Sequence, residues 1–210
     1  MIKVLKQGLN HAIDMDRINS NSTIIDAGAG RGQFVKTIRE MVNCKIICVE
    51  CSKLNIQEIK SGQYENLVLI EGALSGVHGD KVTYTEFYGD SSRGTGGYFE
   101  WGNIYGNHKQ FLSQRGDGVG MNEYLVDCVS LSNIMDDHCP SGVDYLKMDI
   151  EGAEYEVFMS TSDRHLCSIG QLSIELHDKG KNSTLIDRLK SLGFAHSEFD
   201  NNEHYFSRQN

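Results

Sequence analysis

Nowhere in these 210 residues do 18 or more apolar side chains run together, which excludes a membrane-spanning helix on length alone. Positive charge is scarce. Twenty lysines and arginines against 29 acids leave a net charge of -9. Phosphate backbones are gripped by cationic side chains, so nucleic acid is not an expected partner, whereas a small neutral or cationic substrate is. The start, Met1-Ile2-Lys3-Val4-Leu5-Lys6-Gln7, carries cations with no apolar segment behind them; this argues against a secretory signal and makes the cytosol the expected location. The six cysteines (44, 48, 51, 128, 139 and 167) lack the framework spacing of a disulfide scaffold and sit mostly in or beside apolar stretches. Buried thiols in a reducing compartment are expected. No internal repeat and no long linker is present.

What is present is ordinary globular usage, 39% hydrophobic and 23% charged, in a length that suits one domain, 1–210, with an insertion. Val4, Leu5, Leu9, Ala12 and Ile13 fall at helical spacing and predict an N-terminal helix over 1–18. Thereafter short apolar runs alternate with helical periods. Strands are expected at 22–27, 45–50, 67–73, 81–88 (as part of a β-ribbon), 125–130, 143–149 and 171–177, and helices at 33–42, 52–61, 131–137, 153–160 and 183–192, with Gly193 closing the last. The end, 194–208, reads as a hairpin turning at Asp200-Asn201-Asn202-Glu203. Strands alternating with helices mean βαβ units and a parallel, doubly wound α/β sheet. Residues 89–120 interrupt the rhythm with glycine, serine and the aromatics Tyr98, Phe99, Trp101, Tyr105 and Phe111. A long polar-glycine loop inside a compact domain is usually functional, here a cover for a substrate.

The sharpest local signal is Ile24-Ile25-Asp26-Ala27-Gly28-Ala29-Gly30-Arg31-Gly32-Gln33-Phe34, where a strand hands over to a helix. Glycines there let the backbone approach a ligand closely. A dinucleotide fingerprint would place a third glycine at Gln33 and an apolar residue at Asp26. A carboxylate before the first glycine repels a pyrophosphate but attracts a cationic amino-acid or sulfonium group, which S-adenosylmethionine supplies. Glu50, closing the second strand, is placed like an acid that accepts hydrogen bonds from ribose hydroxyls, a role shared by NAD and adenosylmethionine sites.

The second signal is Val143-Asp144-Tyr145-Leu146-Lys147-Met148-Asp149-Ile150-Glu151-Gly152-Ala153-Glu154. A parallel strand covered on both faces should be nearly all apolar, yet Lys147 and Asp149 interrupt this one with period two. Either they form an internal ion pair, or Asp149 and Glu151 stand at the carboxyl edge of the sheet, where open α/β folds bind ligands.

These stretches resemble the FkbM-type S-adenosylmethionine-dependent methyltransferases. The likeness rests on Ile25-Asp26-Ala27-Gly28-Ala29-Gly30-Arg31-Gly32, Val49-Glu50-Cys51-Ser52, Gly72-Ala73-Leu74-Ser75, Val129-Ser130-Leu131 and above all Leu146-Lys147-Met148-Asp149-Ile150-Glu151-Gly152-Ala153-Glu154, over about residues 20–180. The resemblance implies a class I methyltransferase fold, a Rossmann-like, mostly parallel seven-stranded sheet with an antiparallel C-terminal hairpin strand. It implies that Asp26, Gly28, Ala29, Gly30 and Gly32 match the cofactor loop, with Glu50 and Cys51 at the ribose. Gly72 and Ala73 would line the adenine, and Asp149 would reach the cofactor as well as the acceptor. It further suggests O-methylation of a sugar, glycan or small natural product. The insert at 89–120 departs from the family pattern and leaves the acceptor open.

Glu175 and His177, two apart in Ser173-Ile174-Glu175-Leu176-His177, share a face of the fifth strand's edge. Methyl transfer to an unactivated hydroxyl needs alignment and a base, for which His177 or Asp149 is suited, with Lys147 and Glu175 beside them. The same oxygen and imidazole mixture also suits a divalent metal, placed second to the base. Cys44, Cys48 and Cys51 have the C-x3-C-x2-C spacing of cluster-binding radical enzymes, but an extended chain over 45–49 separates Cys44 from Cys48 by about 13 Å. A nicotinamide-dependent oxidoreductase and a non-catalytic binding module are the alternatives; Asp26 and Gln33 disfavour the first, and costly strand-end charges the second.

Overall fold

The structure is a computed structural model and describes residues 2–5, 11–90, 98–103, 120–177, 180–199 and 202–208. The expected helix over 1–18 is not there. Instead β1 (Ile2–Leu5) and β2 (His11–Asp14) pair antiparallel, Ile2 opposite Asp14, and a 3-10 turn follows at Met15–Arg17. The reason is polar. Ser173 Oγ accepts from the Ala12 amide at 3.1 Å, Gln171 Oε1 accepts from the Asp14 amide at 2.9 Å, and the Tyr145 hydroxyl donates to the Ala12 carbonyl at 3.1 Å. A helix would turn those backbone groups inward on itself and cost three buried side chains their bonds to this strand.

Two βαβ units come next: β3 (Thr23–Ala27), α1 (Gln33–Arg39), β4 (Lys45–Glu50), α2 (Lys53–Ser61) and β5 (Leu67–Glu71). Ser52 caps α2 by accepting from the Asn55 amide. An excursion follows, β6 (Ala73–Leu74), β7 (Lys81–Asp90), β8 (Tyr98–Asn103) and β9 (Gly120–Val129), forming a four-stranded sheet in the order β6-β9-β7-β8. The stretch read as one loop thus contains a strand at Tyr98–Asn103, where aromatic side chains favour extended chain. Tyr105 and Phe111 lie outside the described residues. The winding resumes with α3 (Leu131–His138), β10 (Val143–Met148), α4 (Glu154–Ser160), α5 (Asp163–Cys167), β11 (Ile169–Glu175) and α6 (Asn182–Ser191), and ends in the hairpin β12 (Phe194–Glu198) and β13 (Glu203–Arg208).

The main sheet has seven strands in the order β12-β13-β11-β10-β3-β4-β5. β13 runs antiparallel to both its neighbours, and the other neighbouring pairs are parallel. Strand alternation splits the core in two. Ile25, Ile47, Leu146, Leu172 and Phe206 point to one face, where Leu131, Val157, Phe158 and Leu189 from the helices cover them. Ile24, Ile46 and Tyr145 point to the other, under Phe34, Val35, Ile38 and Ile13, with Phe34 stacked on Tyr145 at 5.8 Å between ring centroids. The chain leaves β3 towards β5 and returns on its other side at β10, so β3 and β10 flank the switch point where a ligand crevice opens at the carboxyl ends. All six cysteines are unpaired, and Lys45–Glu50 is extended as the spacing argument required. Among the described residues no helix is long and apolar enough to cross a membrane.

Candidate active site at the carboxyl edge

The site grows from three adjoining corners. The first is the glycine turn after β3. Gly28, Gly30 and Gly32 all have positive φ, of 75°, 53° and 78°. Gly28 has no room for a side chain, since a Cβ there would stand 1.7 Å from the Asp149 carbonyl oxygen, while a Cβ at Gly30 would meet nothing within 4 Å. One glycine therefore lets two strand ends touch and the other leaves open space in front of the backbone. The Gly28 and Ala29 amides donate to the Val49 carbonyl, and the Asp149 amide donates to the Ala27 carbonyl. The Ala29 side chain packs into the core with Phe34, so only its backbone lines the turn.

Asp26 lies beneath this turn and not in the crevice. It has no exposed surface, and its Oδ1 is 3.1 Å from Lys147 Nζ, which also donates to the Gly28 carbonyl at 2.7 Å. Burial alone would lower the lysine's pKa, but the Asp26, Asp149 and Glu50 carboxylates together outweigh it and hold the ammonium above its ordinary value. The attraction for a cationic ligand inferred from Asp26 is thus already answered by Lys147. Both are positioning residues that clamp the turn from below, and the internal ion pair is the reading that holds for Lys147.

The second corner is Glu50, which is almost wholly buried. Its Oε2 accepts from the Gly30 amide at 2.7 Å, and its Oε1 accepts from the Cys51 and Ser52 amides at 2.9 and 2.7 Å. Burial pushes it up to about 7 despite these three donors. Gly72 donates its amide to the Glu50 carbonyl, and Ala73, buried in β6, follows directly. The excursion sheet adds residues that the sequence reading missed: Ser52 Oγ and the Tyr124 hydroxyl both donate to the buried Glu86 Oε1, at 2.9 and 3.0 Å. Nothing in the local pattern around residues 86 and 124 announces this meeting.

The third corner gathers Asp149, Glu151, Glu154, Glu175 and His177. His177, just past β11, has Nδ1 2.9 Å from Glu154 Oε1, and its Nε2 lies 3.5 Å from Glu151 Oε2, 3.8 Å from Glu175 Oε1 and 3.9 Å from Asp149 Oδ1. Burial alone would lower this imidazole, yet the Glu154 hydrogen bond and the surrounding carboxylates push it up to about 9. An imidazole so placed is protonated at neutral pH and accepts no further proton. Glu154 was visible in the sequence motif only as one acid among several at a helix start. Its Oε1 also accepts from the Ile150 and Gly152 amides, both at 3.2 Å, which fixes the turn that carries Glu151.

A parallel sheet with a reversed penultimate strand, a glycine turn open at Gly30 and a buried acid closing β4 together fit an adenosylmethionine pocket. The methyltransferase FkbM domain matches residues 26–196. The chain belongs to this methyltransferase family. It is accordingly an S-adenosylmethionine-dependent methyltransferase, and the nicotinamide alternative falls away. Among solved structures, the METTL16 methyltransferase domain is similar at TM-score 0.50 and 9% identity, covering 94% of this chain and 63% of that one. The precorrin-6y C5,15-methyltransferase of Geobacter metallireducens GS-15 is similar at TM-score 0.47 and 11% identity, with 90% and 80% covered. At these identities the likeness concerns the fold alone. No curated protein matches the chain by sequence.

In this FkbM methyltransferase Gly30, with open space before its backbone, and Glu50, whose carboxyl reaches the same turn, would hold the cofactor. The space before Gly30 would take its methionine portion, and Glu50, by exchanging the Gly30 amide for ribose hydroxyls, would hold the sugar.

Proposed function

We propose that this methyltransferase acts on a hydroxyl of a small molecule, sugar or glycan, in the cytosol. The observation that supports the reading is the contact of the third corner with the glycine turn: the Asp149 carbonyl abuts Gly28, which sets Asp149, and with it Glu175 and His177, beside the turn that would take the cofactor. A hydroxyl entering there meets carboxylates able to orient it and to take its proton. Asp149 is the better base of the two considered, since His177 already carries its proton. The six unpaired cysteines support a reducing compartment, and the excess of acids supports a substrate without phosphates.

Incubation with methyl-labelled adenosylmethionine and a panel of sugars, phenols, hydroxy acids and a small RNA tests it. Label in a base-stable ether of one of the first three classes is the expected result. Label confined to RNA, or to an amine, overturns it.

A further inference from the structure

We propose that Asp149, Glu151 and His177 form a site for a hard divalent cation, Mg2+ or Mn2+, at the acceptor end of the crevice. One donor atom from each residue lies within 4.8 Å of the others. Metal–oxygen bonds of about 2.0–2.2 Å can be closed over such a triangle by small side-chain rotations. The donor set, two carboxylates and one imidazole, is oxygen-rich and suits Mg2+ or Mn2+ better than the sulfur-preferring metals.

Two further observations point the same way. Asp149 Oδ1 is inaccessible to solvent and receives no hydrogen bond, although buried acceptors are nearly always satisfied. A cation would satisfy it. His177 is also held as a metal-binding histidine is held. Its Nδ1 faces Glu154 Oε1 at 2.9 Å, Glu154 is itself almost wholly buried and anchored by two amides, and Nε2 is thereby aimed at Asp149 and Glu151. A carboxylate behind the histidine fixes the ring, and a cation arriving at Nε2 takes the place of the proton that the neighbouring carboxylates hold there. Glu175, 3.8 Å from Nε2, is placed to complete the set or to hold a bound water.

The open positions would receive two neighbouring oxygens of the acceptor, as in a vicinal diol or a hydroxyl beside a carbonyl. This use rests on the proposed hydroxyl methylation; the cation site itself does not. With the cation in place Asp149 serves as a ligand instead of as the base, so the bound hydroxyl, acidified by the cation, releases its proton to solvent, its oxygen pair forms the bond to the methyl carbon, and the sulfur–carbon bond breaks with its pair left on sulfur.

The test is titration of the full chain, stripped with chelator, with Mn2+ followed by electron paramagnetic resonance. One Mn2+ per chain is expected, with nitrogen modulation in the spin echo from the His177 ring. His177→Gln and Glu151→Gln, each with an unaltered circular dichroism spectrum, should weaken binding at least about tenfold. No saturable binding below about 1 mM, bound Mn2+ without nitrogen modulation, or wild-type affinity in both folded variants overturns the proposal. The wild-type spectrum decides the matter even where a variant does not fold. Calorimetry with adenosylhomocysteine on the same metal-free wild type separates the two readings, because loss of cofactor affinity would strike the methyl-transfer pocket and leave the Mn2+ result standing.

Discussion

Lys147 Nζ is 3.1 Å from Asp26 Oδ1 across the junction of β10 and β3, and both side chains are buried. Removing one partner leaves a bare charge in the core. Lys147→Met should therefore cost about 3–5 kcal/mol in urea denaturation, and Asp26→Asn in the same background should recover most of it. A Lys147→Met protein as stable as wild type would show that the pair does not clamp the turn.

The glycines of the turn should separate by substitution. Gly28→Ala drives a methyl into the Asp149 carbonyl and is expected to abolish folding or cost well over about 3 kcal/mol. Gly30→Ala meets no atom, so its cost is the left-handed backbone alone, about 1–2 kcal/mol. Its methyl does enter the space assigned to the cofactor, so adenosylhomocysteine affinity by calorimetry should fall more than stability does.

Glu50 gives a pH signature. Its carboxyl is raised from 4.5 to about 7, so between those values the native state holds a proton that the unfolded chain has released. Its contribution to the stability of the cofactor-free protein is full below pH 4.5 and is lost as the pH rises to 7. Cofactor binding has the opposite sign, because ribose hydroxyls donate to the ionised form. Affinity for adenosylhomocysteine should climb by up to about tenfold per pH unit below 7 and level off above it. Glu50→Gln should bind about 10- to 100-fold more weakly and without that slope, as calorimetry across pH 5.5–8.5 would show.

Glu154 sets the state of His177. Glu154→Gln removes the charge behind Nδ1, and the imidazole, now near 9, should titrate closer to its ordinary 6.5 in NMR spectra of the ring nitrogens. An unmoved titration would assign the shift to Asp149, Glu151 and Glu175 alone.

The doubly wound sheet was legible because strands buried on both faces write themselves as apolar runs, as at Ile24-Ile25 and Ile46-Ile47, and because Gly193 marks a helix end. The N-terminal strand was not. His11, Ala12 and Ile13 are all buried, so β2 shows no alternation, and what holds it extended are Ser173, Gln171 and Tyr145, more than a hundred residues away. The site divides in the same way. The glycine turn, Glu50 and the meeting of Asp149 with His177 follow from strand ends. The burial of Asp26 does not, because the same motif serves whether its carboxylate faces a ligand or a lysine. Glu86 and Tyr124 come from the excursion sheet, whose folding back onto Ser52 has no periodicity to reveal it.

That excursion has a further consequence. It departs through β6 and returns through β9, which run side by side, with Ala73 opposite Cys128 and Leu74 opposite Val129. Departure and return form a clasp at the rim of the crevice. Glu86 and Tyr124, between the clasped strands, anchor the base of the excursion to the Glu50 corner through Ser52, so that a change of length or composition farther out would alter what meets the acceptor while the donor's corner keeps its shape.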